Sequence, residues 1–128
     1  MEKITIEDKK RISFEDITSG TSKSPFVLDV YLDDIIQTIG LPSSVGSGDN
    51  KVQLEWVFND INWPEVDAAD ALLNQEEFGR VLTIYDWKEY VPIYEISNWH
   101  VGSKNMTPDE VKQALLELGF KENNIIPD

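Results

Sequence analysis

The feature that most constrains this chain is an alternation: Val52, Leu54, Trp56 and Phe58 share one parity, with Gln53 and Glu55 on the other. Successive side chains of a β-strand point to opposite faces, so this stretch sets a bulky apolar face against a polar one. Such a strand must pair with neighbours and have its apolar face covered. Lys51 to Phe58 is therefore read as the clearest strand. A second β-forming run follows at Arg80-Val81-Leu82-Thr83-Ile84-Tyr85-Asp86-Trp87. Val91 to Val101 is read as containing a third, with Asn98-Trp99-His100-Val101-Gly102 at its end. The order predicts an antiparallel meander, in which the stretch from about 59 to 79 is an insertion between two central strands.

The cover is legible too. Leu32, Ile35, Ile36 and Ile39 fall at i, i+3, i+4 and i+7, which makes one apolar face of a short helix. Gly40 stops it and Pro42 forbids its continuation. Before it, Phe26-Val27-Leu28-Asp29-Val30 suits a strand or a helix begun at Pro25; the β-formers favour the strand. Near the end, Thr107 is an N-cap, Pro108 sits at N1 and Glu110 completes a capping box. Val111, Ala114, Leu115 and Leu118 form the buried stripe of that helix, and Gly119 ends it. Phe120 is placed to fold back on the last turn, and the tail to pack through Ile125 and Ile126 or to fray. Ile4 and Ile6, then Ile12 and Phe14, suggest an opening strand or hairpin, Leu41 to Asn50 reads as a loop, and Pro64 to Leu73 as a short helix within the insertion. The fold expected is α+β: an antiparallel sheet of three to five strands, a short helix before the central strands and a capped C-terminal helix on one face.

A chain of 128 residues is a single domain, 1–128, by size. It has no cysteine, which excludes disulfides, thiolate metal sites and a cysteine nucleophile. No apolar run reaches the length of a membrane span, and the first residues lack the apolar core of a secretory signal. A soluble, cytoplasmic protein is expected.

The motifs of several chemistries are absent. There is no phosphate-binding loop, dinucleotide fingerprint, calcium loop or nucleophile elbow. His100 is the only histidine, so no multi-histidine metal site exists. As a general base it would need an orienting carboxylate, for which Asp86 and Glu95 are the candidates, and a nucleophile such as Ser97 or Ser103. The plainer reading is a strand-end histidine. Paired carboxylates such as Asp33 and Asp34, Glu15 and Asp16, or Glu76 and Glu77 are what so acidic a composition produces by chance. A binding protein with no catalytic residue, no metal and no cofactor is the expectation.

Charge carries more information. Twenty-four acidic residues against eleven Lys and Arg give a formal net charge of −13. Such a surface repels nucleic acid and anionic membranes and attracts basic proteins. Ser24 to Asn50 and Val52 to Gly79 contain no Lys or Arg. In the second stretch Asp60, Glu65, Asp67, Asp70, Glu76 and Glu77 form a candidate partner-binding face, and Trp63 a candidate apolar anchor. A face of this kind can imitate the phosphate backbone and compete for the basic groove of a nucleic-acid enzyme; equally, acidity can serve solubility alone. The second candidate site is an aromatic cleft lined by Tyr85, Trp87, Trp99 and His100, with Tyr90 and Tyr94 nearby, that would take a small ligand such as a nucleotide-like signal. The scarcity of Lys and Arg argues against an anionic one.

Thr83-Ile84-Tyr85-Asp86-Trp87-Lys88 followed by Trp99-His100-Val101-Gly102 resembles the paired signature of small uncharacterised proteins encoded by bacteriophages and prophages. Their second element commonly reads Trp-His-Ile-Gly-Gly. Ile39-Gly40-Leu41-Pro42 and Glu55-Trp56 are similar as well, and the resemblance spans roughly residues 28 to 102. Here Ser103 replaces the second glycine, and the acidic insertion is this chain's own. The resemblance implies an anti-defence role, such as an anti-CRISPR protein inhibiting a basic host enzyme; that step is analogy.

Overall fold

A computed structural model describes residues 1–5, 17–18, 20–45, 53–60, 79–87 and 91–128. In chain order the elements are β1 (Glu2–Lys3), β2 (Ser22–Asp29), α1 (Leu32–Ile39), β3 (Ser44–Val45), β4 (Leu54–Asn59) and β5 (Val81–Tyr85). Then come a 3-10 turn (Ile93–Glu95), β6 (Asn98–Lys104), α2 (Pro108–Leu118), a second 3-10 turn (Glu122–Asn124) and β7 (Ile125–Pro127). The strands form one sheet in the order β1-β4-β5-β6-β2-β7, with β3 also on β4, and every pairing is antiparallel.

The α+β architecture is the one the sequence implies. The sheet is wider than expected because β1, β3 and β7, only two or three residues each, extend the four long strands. Leu41 to Asn50 is thus not wholly a loop: Ser43 N–H reaches Glu55 O at 2.8 Å and seats β3 on β4. The third central strand begins later than read. Pro92 opens a turn closed by Ile96 N–H on Ile93 O, and the strand starts at Asn98 and runs past Gly102 to Lys104. Ile6, Ile12, Phe14, Lys51, Val52 and the stretch from Pro64 to Leu73 lie outside the described residues.

Alternation decides the core. Leu54, Trp56 and Phe58 of β4, Leu82 and Ile84 of β5, Trp99 and Val101 of β6 and Leu28 of β2 all join one buried cluster. Leu32 and Ile35 of α1 and Val111, Ala114 and Leu115 of α2 close it, so both helices cover the same sheet face. Trp56 and Trp99 meet edge to face at its centre, with ring centroids 5.5 Å apart. Each spends its indole N–H on a carbonyl flanking α1: Trp99 Nε1 on Val30 O at 3.1 Å, Trp56 Nε1 on Gly40 O at 2.9 Å. Lys3 Nζ adds a bond to Ile39 O at 2.8 Å. The two largest core side chains therefore also fix both ends of α1, which has no side-chain N-cap of its own.

α2 has the expected caps. Thr107 Oγ1 accepts Glu110 N–H and Glu110 Oε1 accepts Thr107 N–H. Gly119 takes the left-handed conformation at φ 113°. Phe120 folds back into the core, and its N–H reaches Leu115 O. The tail returns along β2: Ile125 is buried and Ile126 outward, with Asp128 N–H on Pro25 O at 2.9 Å.

Candidate functional site

The face turned away from the helices carries the other half of the alternation. Its cross-strand partners form two rows. One holds Val57, Thr83, Gly102 and Lys23; the next holds Glu55, Tyr85, His100 and Val27. Beyond the first row, Asn59 and Val81 are fully buried. Toward Tyr85 and His100 it opens, and Trp87 at the rim is 42% exposed.

Here lies a cavity of about 540 Å³, inside the range of roughly 300–1,000 Å³ typical of small-ligand sites. Thr83 and Tyr85 line it from β5, Trp87 from just past it, Glu55 from β4, His100 and Gly102 from β6, and Ser22 and Lys23 from the start of β2, with Thr21 just before them. Gly102 makes the hollow. A Cβ there would stand 2.6 Å from Thr83 Oγ1 and 3.4 Å from Tyr85 Cε1. The row is interrupted where a side chain would fill it.

The Tyr85 and His100 rings stack at 5.6 Å between centroids and 23° between planes. They are cross-strand partners, so the sheet itself holds the pair. Burial first, then the charge of Glu55, pushes the Tyr85 phenol above its ordinary pKa. It stays protonated at neutral pH and can donate or accept a hydrogen bond. Lys23 is held by an ion pair with Asp128.

Three of the four residues read as an aromatic cleft are brought together: Tyr85, Trp87 and His100. Trp99 is not among them. It neighbours His100 in sequence, so the pleat sends it to the opposite face, where it is fully buried. Trp87 lies on the rim, past the end of β5 at Tyr85. Tyr94 is exposed on the 3-10 turn. Tyr90 lies outside the described residues. The reading missed Glu55, Thr83, Gly102 and the start of β2. The first three share the parity of Tyr85 and His100 on paired strands; register, which the sequence does not state, aligns them.

Asp86 does not orient His100. It is fully buried, and its Oδ1 accepts Gln53 N–H and Leu54 N–H, both at 2.9 Å, which anchors the start of β4. Among the described residues its Oδ2 has no hydrogen-bond partner.

Of the acidic candidates, Asp60 alone is described, and it is already engaged. Its Oδ2 accepts Arg80 N–H at 2.9 Å and its Oδ1 lies 3.2 Å from Arg80 Nη2. Burial works to raise its pKa, but the bonds and charge from Arg80 outweigh it and hold the carboxyl below its ordinary value. Trp63, Glu65, Asp67, Asp70, Glu76 and Glu77 lie outside the described residues. A further acidic edge is described: Asp33 and Asp34 start α1, which packs against the 3-10 turn bearing Glu95. Tyr31 and Tyr94 are exposed on these same two elements.

No helix among the described residues is long and apolar enough to cross a membrane. Comparison with protein-family models, with curated proteins and with solved structures gave no match.

Proposed function

We propose that this chain is a binding protein, not an enzyme, and that its site is the cleft over Gly102, which takes a small planar molecule. The observation that carries this reading is the cavity itself: a ligand-sized hollow beside a stacked Tyr85–His100 pair, with Trp87 exposed at its rim. A flat ring can lie against these aromatic groups while Thr83, Tyr85 and Glu55 supply hydrogen bonds to its edge. The test is titration of the protein with a panel of planar heterocycles, followed by tryptophan fluorescence and thermal shift. A ligand at a hundredfold excess over its Kd should stabilise the fold by about 3 kcal/mol. Trp87→Ala should weaken that ligand by about tenfold or more, since stacking of one ring is worth about 1–3 kcal/mol. Full affinity in this variant would overturn the assignment.

The charge balance supports a second reading, in which the chain binds and inhibits a basic, nucleic-acid-handling host enzyme such as a CRISPR effector by imitating nucleic acid. It rests on the net charge of −13 and the stretches without Lys or Arg, and on the acidic, tyrosine-bearing edge of α1. The resemblance to phage-encoded proteins agrees with it. Asp60 contributes less, being neutralised by Arg80. Reversing Asp67, Asp70, Glu76 and Glu77 to Lys should abolish capture of such a partner while leaving the melting temperature in place. Capture should also weaken steeply with salt. A salt-independent, unaltered pull-down would remove this reading.

A further inference from the structure

The charges around the cleft limit what can enter it. Among the described residues that line it, Lys23 is the one lysine or arginine, and Glu55 the one carboxylate. The Lys23 ammonium is paired with the Asp128 carboxylate. Asp128 is in turn positioned by its N–H on Pro25 O and by the pairing of β7 with β2. That ammonium is therefore already answered by the protein's own carboxylate. Glu55 is placed on the cleft face opposite Tyr85 by the β4–β5 register, and its charge opposes ionisation of the Tyr85 phenol. A phosphate entering would meet a neutralised lysine and a carboxylate. An amino group would meet an acceptor.

We propose that the cleft selects an uncharged or cationic planar heterocycle bearing an exocyclic amino group, of the nucleobase or nucleoside class, and rejects its phosphorylated form. The inference rests on the cleft reading above. The base stacks at the Tyr85–His100–Trp87 end, its amino group donates to Glu55, and the hydroxyls of Ser22 and Thr83 face its remaining polar edge. Tyr85 remains a protonated partner through neutral pH because burial and Glu55 both oppose its ionisation.

The experiment is isothermal titration of the intact protein with adenosine, cytidine and guanosine, with uridine, and with the corresponding 5′-monophosphates. At least one amino-bearing nucleoside should bind about tenfold more tightly than its monophosphate and than uridine. Asp128→Asn should release Lys23 and narrow the nucleoside-to-monophosphate ratio severalfold, with nucleoside affinity unchanged. Glu55→Met, which removes the acceptor, should erase the preference for the amino-bearing base. A monophosphate that binds wild type as tightly as its nucleoside overturns the selectivity and leaves the cleft standing. Binding of other planar heterocycles but no nucleoside overturns the ligand class. No binding by any planar compound sinks the cleft reading and this inference together.

Discussion

Gly102 shows how much a single position decides. Its missing side chain opens the cleft, and a Cβ would press on Thr83 Oγ1 at 2.6 Å. Gly102→Ala should therefore destabilise the fold by about 1–3 kcal/mol, the usual cost of overpacking. The same change in a Thr83→Ala background should cost much less, and a urea double-mutant cycle measures the difference. Thr83 is 2% exposed, so it has little room to move aside. At this scale the sequence was only partly legible. The aromatic character of Tyr85, Trp87 and His100 was visible, and so was their nearness. The side of the sheet was not weighed: Trp99 next to His100 had to lie on the other face, and strand parity alone implied it. Glu55, Thr83 and Gly102 needed the register between strands, which depends on long-range pairing.

Elements with local signals were read closely. α1 spans Leu32–Ile39 and α2 spans Pro108–Leu118, as the stop at Gly40 and the Thr107 capping box predict. The N-cap of α2 is a testable contribution. Thr107→Ala removes the acceptor for Glu110 N–H and should cost about 1 kcal/mol, read from the chemical-denaturation midpoint. Thr107→Ser should retain most of it. Apart from the opening segment, read as a strand or hairpin, the outermost strands were not legible, for an equally physical reason. Two or three residues cannot display a period, and β1, β3 and β7 exist because β4 and β2 offer them free edges. The turn at Ile93–Glu95 was not separated from the strand that Val91 to Val101 was read to contain; Pro92 opens it, and the strand starts only at Asn98.

For the molecule as a whole, acidity and pH are linked through a few depressed carboxyls. Hydrogen bonds from Thr107 hold Glu110 below its ordinary pKa, and Arg80 does the same for Asp60 against the opposing effect of burial. A carboxyl depressed in the folded state stabilises it above the unfolded pKa, near 4, and that stability is lost as pH falls through the folded value. The urea midpoint should therefore drop between about pH 5 and pH 2. Arg80→Met should shallow that drop, since Arg80 holds Asp60 directly and lies 4.0 Å from Glu110. An unchanged profile would mean that Arg80 is not the source. The net charge itself was readable from composition; which carboxylates are already answered by a cation was not, because Asp60 and Arg80 lie twenty residues apart in the chain.

The short outer strands have a consequence for how copies of this protein behave when crowded. A long, bare sheet margin invites another chain to add itself, and a centre rich in Val, Ile and Trp would make such stacking hard to reverse. Among the described strands, one margin is held by two-residue pieces at either end of β4. The other is a three-residue piece closed by Pro127, whose nitrogen has no hydrogen to lend. The fold thus keeps a strongly β-forming interior while giving a neighbouring copy almost nowhere to begin.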